Sequence, residues 1–376
     1  MEKKTGSRIA YIDALRTLAC FAVVILHVAA FKTTDVSFKS HDWNVFMVFE
    51  SLTNWAVPVF VMISGAMMLS KEYSYKDVLK KAGKVAVVFF IWSFIYLVSD
   101  MCIHGLSAFT KDFIWLQVFL QGHYHMWYLI MLFGLYLVVP FIKPVVSDKK
   151  LLKAFLILSF LFGFFWPSVQ DLMMIERFRK VLSVPLIGAV YRALTNITED
   201  LHLHLVLGFV GYFAAGHAIH QIRFKNKKKA MICGILLLLF GTVIVFLGLR
   251  ASGSTEMAIT YLKYYQFGIL LQAIGVFVIF QQLGDCGFTH CISKVSPLSL
   301  GIYLIHPFIL EVLNRFDVST LSFATEASVF VLAVIVFLCS ALITKLLLIT
   351  KISAKSVKLL FFLEKVQQIS DLFRHI

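Results

Sequence analysis

A succession of long, almost unbroken apolar stretches limits what this chain can become more than any other feature. They fall at about 9–31, 44–70, 83–104, 124–146, 151–167, 202–222, 229–250, 258–283, 297–314 and 324–350. At 1.5 Å rise per residue, a helix of this size matches the roughly 30 Å hydrocarbon layer of a bilayer. In lipid only a helix or a closed barrel satisfies its own backbone. Barrel strands would alternate apolar and polar residues over about ten positions, and these stretches do not alternate. The expected fold class is therefore all-α: a polytopic integral membrane protein of about ten transmembrane helices. The stretch 151–167 is short and ends in Trp166-Pro167. With 60% hydrophobic and only 15% charged residues, a soluble domain would expose too much apolar surface.

The net charge of +14 would suit a nucleic-acid partner, but its placement argues against one. Lys and Arg gather in alternate connections. Arg8 follows Lys3 and Lys4, a run from Lys71 to Lys84 joins stretches two and three, and Lys143 to Lys153 joins four and five. The run from Arg223 to Lys229 joins six and seven, and Lys294 and the tail complete the series. This is the positive-inside pattern, with both termini cytoplasmic. Residues 351–376 alternate basic and apolar side chains at helical spacing and read as an amphipathic tail on the inner membrane surface. The chain thus divides into a transmembrane domain, 1–350, and a cytoplasmic tail, 351–376. The first stretch is too long for the apolar core of a signal peptide and carries Arg16, so it is expected to be retained. Six scattered cysteines imply no disulfide framework. The pairs His123-x-His125 and His202-x-His204 lack companion ligands and do not share a helix face, so no metal is expected.

Orientation gives each polar residue a depth. A charge inside a span costs about 2.5–3.5 kcal/mol on insertion scales, which makes Arg16 a functional candidate. His27 follows eleven residues later, roughly 16 Å along the axis. An inner layer holds Asp13, Arg16 and Ser64; an outer layer holds His27, Glu50, Asn54 and His125, with Trp127 at the rim and Tyr303 and His306 at mid-depth or above. Taken singly, each has a structural reading. Asp13 and Arg16 could neutralise each other, Glu50 could bond a neighbouring helix, Trp127 could be an interfacial aromatic, and His306-Pro307 could be a kink.

Taken together, the residues resemble a family. Asp13-Ala-Leu-Arg16, ten residues and His27 resemble the Arg-x10-His signature of the acyltransferase-3 family of integral membrane acyltransferases. Asn54-Trp-Ala-Val-Pro-Val-Phe-Val-Met-Ile-Ser-Gly65 is similar to its second-helix pattern ending in Ser-Gly. His125-Met-Trp-Tyr-Leu129 resembles its His-x-Trp-Phe-Leu block, and Ser299-Leu-Gly-Ile-Tyr-Leu-Ile-His-Pro307 its late Tyr-x-x-His segment. Tyr128 replaces the commoner Phe, and Ala66 stands where an aromatic is frequent. The likeness spans nearly the whole chain and is nearest to stand-alone O-acetyltransferases of surface polysaccharides.

The resemblance implies transfer of an acyl group, taken as acetyl, from cytoplasmic acetyl-CoA to a hydroxyl of a cell-surface polysaccharide or lipid-linked sugar, across a bacterial cytoplasmic membrane and without a metal. Arg16, Ser64 and Gly65 would bind the donor. His27 would be the general base or carry the acyl group, and Glu50 would fix its tautomer. Asn54, His125, Trp127, Tyr303 and His306 would face the acceptor. Two other readings stay open: a transporter or flippase for a lipid-linked sugar, and a non-catalytic partner of polysaccharide assembly. Repeated halves, the usual mark of a transporter, are not evident.

Overall fold

The computed structural model describes residues 8–105, 113–201 and 204–349, and among these every regular element is helical. The tail at 351–376, Lys3, Lys4 and His202 lie outside the described residues. In chain order the bundle opens with α1 (Ala10–Ala30), α2 (His41–Thr53), α3 (Ala56–Met68), α4 (Tyr75–His104), α5 (Ile114–Gln121) and α6 (Trp127–Ser147). Next come α7 (Lys149–Leu158), a π-helical run (Ser159–Phe165), α8 (Trp166–Met174), α9 (Glu176–Arg179) and α10 (Pro185–Asp200). The rest is α11 (His204–Gln221), α12 (Lys227–Ala251), α13 (Thr255–Thr260), α14 (Phe267–Leu283), α15 (Gly287–Ser293), α16 (Ser299–Arg315) and α17 (Thr325–Ile349).

Eight segments among the described residues are long and apolar enough to cross a membrane. The helices α11 and α14, the latter shorter, occupy the remaining two expected stretches. Three stretches depart from simple spans; in the eighth, residues 261–266 between α13 and α14 are not helical. The second breaks between α2 and α3 at Asn54-Trp55, because Pro58 has no N–H to offer the Asn54 carbonyl four residues before it. The fifth is longer than 151–167. The π-helical run carries the helix into α8, where Pro167 is accepted in the first turn, giving a 26-residue segment, Lys149–Met174. The connection between the fifth and sixth stretches therefore starts later than 168, and α10 makes most of it helical.

Between helices in lipid there is little hydrophobic drive, so close backbone approach supplies the packing. A Cβ on Gly65 of α3 would collide with the Phe213 carbonyl of α11, and one on Gly216 of α11 with the Met62 backbone of α3. Gly241 and Gly268 make a similar crossing between α12 and α14.

Polar contacts gather at two ends. At the basic end, Tyr11 bonds His220, Lys143 Nζ donates to the carbonyls of Leu69 (2.8 Å) and Lys71 (3.0 Å), and Gln281 Nε2 donates to Ile219 (2.7 Å). At the other, the histidine end, Thr325 bonds Asp42, Arg250 reaches Asn44 (3.1 Å) and Arg315 reaches the Ile103 carbonyl (3.2 Å).

Candidate active site

His27 lies in the last turn of α1, against α16. Its Nδ1 stands 2.8 Å from His306 Nε2, and the two rings stack with centroids 4.9 Å apart. Which nitrogen carries which proton follows from the backbone. Pro307 lacks the N–H that would bond the Tyr303 carbonyl, and His306 Nδ1 takes that place at 2.8 Å, with Ile302 O at 3.2 Å. A carbonyl only accepts, so His306 Nδ1 is the protonated nitrogen and Nε2 is an acceptor. His27 Nδ1–H therefore donates to it, and His27 Nε2 is left with a bare lone pair. His306 is fully buried and His27 partly so.

Next to this pair sits the turn before α6. Gly122 turns the chain at φ 71°, and residues 123–126 are not helical. The i,i+2 argument against His123 and His125 sharing a face holds only on a helix; on this turn their Nδ1 atoms lie 3.0 Å apart. His123 Nε2 is 2.9 Å from Glu311 Oε1 of α16, and its ring stacks on Tyr96 of α4 at 4.1 Å. Tyr303 donates to the His125 carbonyl at 2.6 Å, pinning the turn to α16. His125 is 2% exposed, and its buried Nε2 has no partner among the described residues. Its ring centroid is 6.5 Å from that of His27. Among the described residues no three His, Cys, Asp or Glu converge as a metal site.

Arg16 projects from the same helix as His27. Eleven residues are close to three turns, so the two side chains share a face, roughly 16 Å apart. Asp13 holds the Arg16 guanidinium at 2.7 Å and Arg8 at 2.9 Å. Ser296, before α16, donates to Asp13 at 3.0 Å and accepts from Arg16 at 3.1 Å. Arg16 keeps 31% of its side chain exposed. Ser64 bonds the Phe60 carbonyl one turn back at 2.9 Å. The bare face of Gly65, expected to admit a ligand, is occupied by the Phe213 backbone; its smallness serves the α3–α11 crossing.

Glu50 also corrects an expectation. The group bonded to His27 is His306, whereas Glu50 accepts from Thr33 Oγ1 at 3.4 Å. With Asn54 and Trp127 it lines a cavity of about 960 Å³, bounded by Leu26, which precedes His27, and by Tyr264, Met131 and Phe164 among others. Asn54 donates to the Leu262 carbonyl at 2.7 Å, and Trp127 stacks on Tyr264 at 5.4 Å. Sequence reasoning missed Glu311 altogether, since no motif marks it. It took His123 as half of a weak metal pair.

A family model described as an acyltransferase domain (Acyl_transf_3) matches residues 9–346. The chain belongs to the acyltransferase-3 family. It is a membrane acyltransferase, and the reading as a transporter gives way to that membership. No curated protein and no solved structure matches it.

Proposed function

We propose that this acyltransferase moves an acetyl group from cytoplasmic acetyl-CoA to a hydroxyl of an extracytoplasmic polysaccharide or lipid-linked sugar. The observation that carries this reading is one face of α1 bearing a guanidinium and an imidazole roughly 16 Å apart. The pantetheine arm has the length of about four to five extended residues, roughly 15 Å. With a coenzyme A phosphate on Arg16, the thioester reaches His27. The basic end would face the cytoplasm of a bacterial cell, where its lysines draw in the polyanionic donor.

Chemistry then follows from the tautomer. His27 Nε2 takes the proton of the acceptor hydroxyl, the oxygen attacks the thioester carbonyl, the carbon–sulfur bond breaks and the sulfur leaves protonated as coenzyme A thiol. His306, bonded to His27 Nδ1, holds the ring in the productive orientation. The cavity beneath Trp127 supports acceptor binding: Glu50, Asn54 and Tyr264 offer hydrogen-bond partners for a sugar, a stacked aromatic pair offers a ring face, and Met131, Leu135 and Val138 offer an apolar wall.

Purified protein in lipid nanodiscs, given acetyl-CoA and lipid-linked glycans from a bacterial membrane extract, should release free thiol and add acetyl mass to the glycan. Donor-dependent thiol release with no glycan gaining acetyl mass would overturn the acceptor class, and no thiol release with any glycan would overturn the reading itself.

A further inference from the structure

We propose that Glu311, His123 and His125 form a second proton-handling chain, which stores the proton taken from the acceptor and returns it to the departing sulfur. The inference rests on the acyl-transfer reading above. Glu311 as a carboxylate can only accept, so His123 Nε2, 2.9 Å away, carries a proton. A neutral His123 then has Nδ1 as acceptor, and His125 Nδ1, 3.0 Å away, donates to it. His125 Nε2 is left bare, buried and without a partner among the described residues. A buried orphan of this kind carries a desolvation cost, which is met when a proton or a donor arrives.

The two histidine chains differ at their far ends. When His27 gains a proton at Nε2, its partner is the neutral His306, whose Nδ1 proton is tied to backbone carbonyls. Among the described residues no carboxylate bonds that pair. In the other chain a proton arriving at His125 Nε2 releases the Nδ1 proton to His123 Nδ1. His123 becomes an imidazolium pressed against Glu311 and stacked on Tyr96. The charge has moved from a 2%-exposed ring to one paired with a carboxylate. The sequence is then closed. The hydroxyl proton goes to His27 Nε2, passes through a bridging water to His125 Nε2, whose ring centroid lies 6.5 Å from that of His27, and rests on His123. The same shifts in reverse deliver it to the thiolate sulfur, and no proton is gained or lost in a turnover. His125 touches the reacting groups in this scheme; His123 and Glu311 are positioning residues acting through it.

The test compares wild type with Glu311→Gln, Glu311→Asp, His123→Phe and the double variant His123→Phe/Glu311→Gln, all in nanodiscs. His123→Phe keeps the ring against Tyr96 and loses both nitrogens. Thermal melting and acetyl-CoA binding report folding, and thiol release gives kcat and KM. Glu311→Gln should lower kcat about 10- to 100-fold with acetyl-CoA binding and KM unchanged, and Glu311→Asp should recover much of it. The double variant should be no slower than the slower single one, because both remove one chain. Should Glu311→Gln fail to fold, His123→Phe and the neutral double variant ask the same question. Folded variants with wild-type kcat, a loss confined to KM, or multiplicative losses in the double variant would overturn the relay while leaving the acyl-transfer reading intact. If wild type releases no thiol, that reading falls and takes the relay with it.

Discussion

Pro307, inside the continuous helix α16, removes one backbone hydrogen bond and thereby sets a tautomer. By withholding an N–H from the Tyr303 carbonyl, it leaves that oxygen to His306 Nδ1. Pro307→Ala restores a competing donor, so kcat should fall several-fold through loss of the oriented His27–His306 pair, with acetyl-CoA affinity unchanged. An unaltered kcat would show that the ring is held by packing alone. His27→Ala removes the proposed base and should cost about 10²–10⁴-fold in kcat while the protein still inserts and melts normally. Arg16→Lys keeps charge and loses the planar fork, so acetyl-CoA should bind about tenfold more weakly in titration calorimetry. Arg16→Ala should weaken it further. Asp13 would still have Arg8 at 2.9 Å and Ser296 at 3.0 Å, so expression should survive; equal affinity in both variants would remove the donor from this site.

At the scale of helices, glycines decide which faces meet. Gly65 and Gly216 bring α3 and α11 into backbone contact, and that crossing forms part of the wall of the large cavity through Phe209 and Tyr212. Gly65→Val would force the two backbones apart, and the expected outcome is a large drop in thermal stability with little purified monodisperse protein. Trp127→Ala acts on a cavity wall and leaves the helix crossing intact. Its expected signature is a reduced kcat/KM for the glycan, with donor binding unchanged, in assays that vary each substrate separately. A loss in donor affinity instead would move the cavity from acceptor to donor.

Across the whole molecule, orientation is the quantity to test. Cys291 is exposed close to Lys294 at the basic end, and Cys102 is exposed at the opposite end. In a Cys102→Ser background, sealed right-side-out vesicles should leave Cys291 unlabelled by an impermeant maleimide until they are opened. Neutralising Lys80, Lys81, Lys84 and Lys227 to Lys229 should raise the KM for acetyl-CoA most at low salt, where long-range attraction is least screened. Labelling of Cys291 in sealed vesicles would reverse the bundle and with it the cross-membrane direction of transfer.

Apolar length and the placement of lysines were enough, from the amino-acid order alone, to specify an all-helical membrane bundle, because the bilayer imposes one length and one backbone solution on every crossing. The order also marked Arg16, His27, His125 and His306, since polar groups stand out in apolar runs. What joins them was not legible there. His27 and His306 are 279 positions apart, and His123 and Glu311 are 188 apart, so their bonds exist only once α1, α4, α6 and α16 pack. Glu50 looked like the partner of His27 by depth, yet depth leaves rotation about the helix axis undetermined, and rotation turned it toward Thr33 and the cavity. Gly65 looked like an opening because smallness alone does not say whether a ligand or another backbone fills the space. Local chemistry determined which residues could act; the rotation and crossing of helices decided which of them meet.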